Sequence, residues 1–418
     1  MTTGPVVVVG AGQAGFQVAA SLRQRGHDGP VTLIGDEPGL PYQRPPLSKE
    51  VLAGTGAPET TALRPEAFFA KHAIALRSGE QVVGVDRDRR AVTLASGEAL
   101  AYADLVLATG ARPRPLPLPG AERDGVLALR TLADAVTIRD RITADTRVVV
   151  IGAGFIGLEV AAGARRHGAE VTVLEVAPRV MGRALSAASA AHLVGRHERA
   201  GASIRTGAAI ERIAGDGHGR ATGVVLAGGE RIPADLVVVG VGVTPATELA
   251  EQAGLAVADG VLVDPTLRTE DPHIWAIGDC CRFPLPSGRR VRLESVQNST
   301  DQARAVAAAI TGEAAPYDAV PWFWTDQHDA KLQIAGLLDG HDRTVLRGDP
   351  DADGHSVFCY CGERLVAVES INRPRDHLAA RKLLAAGFSP RPEDVADDAT
   401  DLRELLALTA PAPPSTAT

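Results

Sequence analysis

The sequence predicts an α/β protein with two Rossmann-like dinucleotide-binding domains, the first discontinuous with the second inserted into it, and a C-terminal α+β domain. Three observations carry this expectation. A glycine fingerprint occurs twice, each copy is followed by an acid at the end of the next apolar run, and the texture of the chain changes from about Pro321. Gly10-Ala11-Gly12-Gln13-Ala14-Gly15 follows the run Val6 to Val9, and Gly152-Ala153-Gly154-Phe155-Ile156-Gly157 follows Val148 to Ile151. In each copy the first glycine allows a tight strand-to-helix turn, the second lets backbone approach a pyrophosphate, and the third lets helix pack on strand. The helix N-terminus then offers oriented N–H groups to phosphate charge. Two nucleotide sites in one chain point to a relay between two redox cofactors.

The first unit reads as strand (Val6 to Val9), helix (Gly15 to Gly26) and strand (Val31 to Ile34), closed by Asp36 and Glu37, where a carboxylate accepts ribose hydroxyls. The proline-rich stretch from Pro38 to Lys49 should reject helix until about Ser48, which is expected to cap the following turn. Strands at Val82 to Val85 and Ala91 to Leu94 follow, and the segment ending in Leu105 to Pro113 reads as the returning strand. The second unit runs from Val148 through Leu174, with Glu175 in the acid position, and the apolar run Leu236 to Gly242 hands the chain back to the first domain. Ser356 to Tyr360 and Leu365 to Ser370 flank Gly362 as a hairpin. Arg375 to Ala386 reads as a helix ended by Gly387. Proline and small polar residues predict a disordered tail.

The chain has 418 residues, 45% hydrophobic and 22% charged, a soluble globular composition of two or three domains. A formal net charge of -8 argues against nucleic acid as a partner. No apolar run approaches the roughly 20 residues of a membrane span, so no membrane association is expected. Met1 to Pro5 lead straight into the first strand, which leaves no room for a signal peptide and predicts a cytoplasmic location. Cys280, Cys281, Cys359 and Cys361 have no metal-ligand spacing, so no metal is expected. They read as small buried thiols, with a strained disulfide between the neighbouring pair as the alternative.

These residues resemble the two-dinucleotide-domain flavoprotein reductases, and within them the FAD-dependent NADH-ferredoxin reductases that serve cytochrome P450s and aromatic-ring dioxygenases. The most specific marks are Leu40 to Lys49 (LPYQRPPLSK), Ala108-Thr109-Gly110, Gly278-Asp279 and Pro321 to Gln327 (PWFWTDQ). The resemblance implies an FAD domain over 1–115 and 244–320, an NADH domain over 116–243, a C-terminal reductase domain over 321–405 and a tail over 406–418. Gly10, Gly12, Gln13, Ala14 and Gly15 would take the FAD pyrophosphate, Asp36 with Glu37 the adenosine ribose, Arg44 a phosphate, and Asp279 the ribityl chain. Val83, Ala108, Thr109, Gly110, Arg130 and Val296 match further FAD-contacting positions. Lys49, paired with Glu159, would stand beside the flavin ring, and Trp324 would stack near it or cover the nicotinamide site. Gly152, Gly154, Phe155, Ile156 and Gly157 would hold the second cofactor, and Gly242 joins the cofactor-binding set. Glu175 favours NADH, since a carboxylate accepts a free 2'-hydroxyl and repels a 2'-phosphate. Arg179 and Arg183 lie close behind and are positioned in sequence to meet such a phosphate.

The implied chemistry is hydride transfer from NADH to FAD, then single-electron steps to a [2Fe-2S] ferredoxin. The chain has no cysteine before Cys280, which disfavours the thiol chemistry of disulfide reductases. The alternative readings are an NADH-binding redox sensor related to the apoptosis-inducing flavoproteins and an NADH oxidase. An acidic ferredoxin needs a basic patch, for which Arg289, Arg290, Arg292, Arg373 and Arg375 are the candidates. A monomer or weak homodimer is expected.

Overall fold

The computed structural model describes residues 4–407. It divides into two compact units, the first formed by the chain up to Leu47, Gly56–Arg114 and Gly242–Ala319, the second by Ser48–Thr55, Pro115–Val241 and the chain from Val320 onward.

The first unit is built on five parallel strands in the order Ile274–Ala276, Asp104–Leu107, Val6–Val9, Val31–Gly35, Ile74–Ser78. Val6–Val9 lies at the centre with all four valines buried, as expected of a parallel strand covered on both faces. The helix Gln13–Gln24 buries Phe16, Val18, Ala19 and Leu22, and stops at Gly26, whose φ of 78° no side chain favours. The helix Val296–Ile310 packs on it, capped by the Ser295 hydroxyl, which accepts from the Asn298 N–H at 3.1 Å. Strands Val82–Asp86, Ala91–Leu94 and Ala99–Ala101 form a separate antiparallel sheet.

The proline-rich stretch departs from expectation. Pro45–Ser48 is already a turn of 3-10 helix, because prolines in a first turn lack only an N–H that has no partner there. Ser48 does not cap a further turn; its hydroxyl donates to Glu159.

The second unit repeats the parallel arrangement in the order Ser203–Arg205, Glu170–Leu174, Arg147–Ile151, Leu236–Val239, Val126–Ala128. The helix Phe155–Arg166 crosses between two of its strands. An antiparallel trio, Ile210–Gly215, Ala221–Leu226 and Arg231–Pro233, covers a smaller cluster. The C-terminal part is a five-stranded antiparallel sheet ordered Trp322–Gln327, Ala330–Gly336, Arg364–Ile371, His355–Cys361, Arg343–Arg347. Its hairpin turns around Gly362, and the helix Pro374–Ala385 ends before Gly387 at φ 64°. One apolar cluster joins Val148, Val150 and Leu158 of the nucleotide sheet and helix to Leu332, Ile334 and Ile371 of the C-terminal sheet. A buried polar tie accompanies it: Glu369 accepts from the Ser186 N–H at 2.8 Å, the Ser189 hydroxyl at 2.6 Å and the Ser186 hydroxyl. The last helix runs to Ala407, two residues into the expected tail, and 408–418 lie outside the described residues.

Candidate functional site: two glycine turns and a buried ion pair

The two fingerprints place their glycines alike. Gly10 and Gly152 have φ of 107° and 102°, and a Cβ on either would strike backbone, the Ala108 carbonyl in the first case and the Gly240 carbonyl in the second. A Cβ on Gly15 or Gly157 would collide with the carbonyl of the first glycine of its own turn. The middle glycines differ. Gly12 and Gly154 have φ of -77° and -83°, open to any residue, and a Cβ there would meet no atom within 4 Å. No side chain caps either helix, so the first N–H groups of both face that open space. The space fits a pyrophosphate, which would be excluded by a side chain the fold itself tolerates.

In the first unit, Gly278 brings Asp279 to this turn: its added Cβ would come within 3.2 Å of the Ala14 Cβ, and its N–H is held by Gln302 at 2.7 Å. Gln13 Nε2 donates to the Thr300 hydroxyl at 3.2 Å, and the Thr109 hydroxyl donates to the Ala246 carbonyl at 2.6 Å. Gly110 and Gly242 both take positive φ, 71° and 96°. Asp36 is exposed, whereas Glu37 accepts from Arg44 at 2.7 Å and from the Tyr42 hydroxyl. Burial pulls the Arg44 guanidinium down, but Tyr42, Glu37 and Asp279 together raise it above its ordinary value. Val83 is 45% exposed on the antiparallel sheet, and Val296 is the half-buried first residue of its helix.

In the second unit, the Glu175 carboxylate accepts the N–H groups of Ala153 and Ala177, both at 2.8 Å, and so stands at the lip of the turn. Arg179 donates to the Leu185 and Gly182 carbonyls at 2.8 and 2.6 Å, which commits its guanidinium to its own loop; Arg183 is exposed. Ile156 is 45% exposed, and the Phe155 ring lies tilted against Phe323 with ring centres 4.6 Å apart. Arg130 precedes the helix Leu132–Asp140, its N–H held by Asp134 at 3.0 Å.

Lys49 Nζ meets Glu159 Oε1 at 2.8 Å, with 13% and 2% of the two side chains exposed. So dry a pair persists only when its remaining lone pairs are satisfied. They are: Thr325 donates to the same Oε1 at 2.6 Å and Ser48 to Oε2. The resemblance pointed to Lys49 and Glu159 but not to these hydroxyls. Alternation along Trp322–Gln327 buries Thr325 and Gln327 and leaves Trp324 half-buried, tilted on Trp322 at 5.6 Å. Polar residues on the inner face of that strand were the available signal for Thr325 and Gln327.

The thiols are free; Cys280, Cys281 and Cys359 are buried and Cys361 is exposed. Burial pushes the Cys280 and Cys281 thiols up, away from the reactive thiolate. Among the basic candidates, Arg292 pairs with Glu294 and Asp259 and Arg373 with Asp376 and Asp398, which offsets their charge. Arg289, Arg290 and Arg375 are exposed, and the bond from Arg290 to the neutral Val263 carbonyl leaves its charge in place. Among the described residues no helix is long and apolar enough to cross a membrane.

A family model for pyridine nucleotide-disulphide oxidoreductases matches residues 4–303, and a reductase C-terminal model matches 322–406. Rhodocoxin reductase of Rhodococcus erythropolis is 50% identical over 403 residues, 96% of this chain and 94% of its own. The ferredoxin reductase for the CYP199A2 system of Rhodopseudomonas palustris has a crystal structure with TM-score 0.94 and 51% identity, covering 96% of this chain and 99% of that one. The covalent putidaredoxin reductase–putidaredoxin complex matches with TM-score 0.95 and 40% identity over 98% and 99%. The chain thus belongs to the pyridine nucleotide-disulphide oxidoreductase family, in its ferredoxin-reductase group.

Proposed function

We propose that this protein is an FAD-dependent NADH-ferredoxin reductase that supplies single electrons to a [2Fe-2S] ferredoxin of a cytochrome P450 or ring-hydroxylating dioxygenase system. FAD, when bound, supplies the conversion of a hydride into two single electrons. The observation that carries the reading is the pair of open middle glycines, Gly12 and Gly154, each at an uncapped helix N-terminus. A fold that needs no glycine there, yet has one, fits an external group arriving at the backbone.

In this reading residues 1–115 and 244–320 hold FAD, 116–243 hold NADH, and 321–405 form the reductase domain. Gly10 to Gly15 receive the flavin pyrophosphate, Asp36 the ribose, and Arg44, oriented by Glu37, a phosphate. Asp279 hydrogen-bonds the ribityl chain, while Ala108 to Gly110, Val83, Arg130 and Val296 line the remainder. Gly152 to Gly157 receive the second pyrophosphate. Glu175 accepts the adenosine 2'-hydroxyl and repels a 2'-phosphate; Arg179 is committed to its own loop and does not soften that repulsion, whereas exposed Arg183 is the remaining candidate to meet such a phosphate. Lys49 presents positive charge where the flavin gains negative charge, and Glu159 offsets the cost of burying it. Trp324 offers an indole face to the stacked rings. A monomer or weak dimer in the cytoplasm completes the proposal.

The test is the visible spectrum of the purified protein under anaerobic NADH, with ferredoxin added afterwards. A yellow protein rapidly bleached by NADH, much more slowly by NADPH, and reoxidised by ferredoxin supports the proposal. A colourless protein that cannot be reconstituted ends it; slow bleaching with a long-lived charge-transfer band favours the redox sensor instead.

A further inference from the structure

Glu159 is the inner end of a hydrogen-bonded chain of four more side chains. Thr325 Oγ1 donates to Glu159 Oε1, Gln327 Nε2 donates to Thr325 Oγ1 at 3.1 Å, Gln327 Oε1 lies 3.0 Å from His197 Nε2, and His197 Nδ1 lies 3.1 Å from His328 Nε2. Thr325, Gln327 and His197 have no exposed surface.

The direction of every bond follows from the inner end. A carboxylate paired with Lys49 only accepts, so the Thr325 hydroxyl commits its one proton to it. The hydroxyl lone pair then takes the Gln327 amide N–H, which turns the amide oxygen toward His197. An oxygen facing Nε2 requires Nε2–H, and the bare Nδ1 accepts from His328. A carboxamide has no proton to hand on without leaving its stable tautomer, so the chain orders dipoles toward Glu159 rather than conducting protons.

We propose that Gln327 and Thr325 are positioning residues of the hydride-transfer site, fixing which oxygen of Glu159 meets Lys49 and locking His197 in its Nε2–H tautomer. The effect on hydride transfer rests on the reading that Lys49 lies beside the flavin; the tautomer does not. Burial pushes His197 down to about 4, which keeps it neutral at physiological pH.

The experiment has two readouts on the full chain. Nitrogen NMR of the flavin-free and flavin-loaded protein should show His197 as the neutral Nε2–H tautomer from pH 5.5 to 8, a range set to lie above its low value. An Nδ1–H or charged ring in that range overturns the proposal, whatever the variants do. In stopped flow, Gln327→Leu and Thr325→Val should slow flavin reduction by about tenfold with NADH affinity within about twofold, a pure barrier effect. Thr325→Ser, which keeps the hydroxyl, should recover most of that loss. Unchanged reduction in Gln327→Leu and Thr325→Val, while Lys49→Met is slow, overturns the positioning role. Unchanged reduction in Lys49→Met instead overturns the placement of Lys49 beside the flavin and leaves the tautomer assignment standing.

Discussion

The two nucleotide units of this chain share a backbone and differ in what they hang on it. In the first, Val9 pairs with Ile34, so the next residue across from the glycine turn is Gly35, and the acids come one and two positions later. In the second, Ile151 pairs with Leu174, and the next residue is Glu175, whose carboxylate holds the Ala153 N–H. Two residues beyond the third glycine, the first unit has Gln17, which donates to the Ser21 hydroxyl at 2.9 Å on its own helix, whereas the second has Glu159, buried against Lys49. The shared part is an open glycine turn at an uncapped helix N-terminus; the differences are where the acid stands and whether the helix carries a buried ion pair.

The comparison can be broken most forcefully at the glycines. Gly15→Ala and Gly157→Ala each drive a methyl into a backbone carbonyl and should cost at least about 3 kcal/mol in urea unfolding. Gly12→Ala and Gly154→Ala should leave the apoprotein as stable as the parent within about 0.5 kcal/mol while weakening FAD and NADH respectively about tenfold or more. Equal destabilisation of all four would refute the distinction between packing glycines and ligand glycines.

Next comes the buried charge. Glu159→Gln strands the Lys49 ammonium and should cost roughly 3 kcal/mol, whereas Gln17→Glu, on the half-buried face of the matching helix, should stay within about 0.5 kcal/mol. Thermal or urea denaturation of the flavin-free variants measures both.

Acid sharpens the contrast between the two units. His192, His197, His328, His355 and His377 all lie in the second unit and all are pushed down by burial, His197, His355 and His377 to about 4. Their folded values lie below the unfolded 6.5, so the stability they contribute is complete above pH 6.5 and is lost as pH falls through about 4. Fully buried His197 alone accounts for about 3 kcal/mol at neutral pH. Hydrogen exchange at pH 5 should therefore show the second unit opening before the first; uniform loss of protection would contradict this. The smallest effect is on coenzyme choice: Glu175→Gly copies Gly35 and should narrow the preference for NADH over NADPH by about tenfold, read as a ratio of kcat/KM values.

Much of this was legible in advance because it is local. A glycine turn, an apolar strand and a helix stop are each written in a few consecutive residues, and both units fold where that writing puts them. The ends of chains of contact were legible too, as Lys49 and Glu159 were by resemblance. What lay between was not: Ser48, Thr325, Gln327 and His197 come from three separated segments, and nothing in one segment names its partners in another. The charge balance at two of the basic candidates was hidden for the same reason. Arg292 and Arg373 look basic in sequence, but the acids that neutralise them, Asp259 and Asp398 among them, are supplied by the fold.

The cluster that joins Val148, Val150 and Leu158 to Leu332, Ile334 and Ile371 restricts how such proteins can be recombined. The C-terminal sheet is no detachable cassette: a chain stopped at residue 319 would wet one wall of the nucleotide domain and orphan the two serines that face Glu369. A chimaera exchanging this region must carry over the matching wall with it, or inherit an insoluble product.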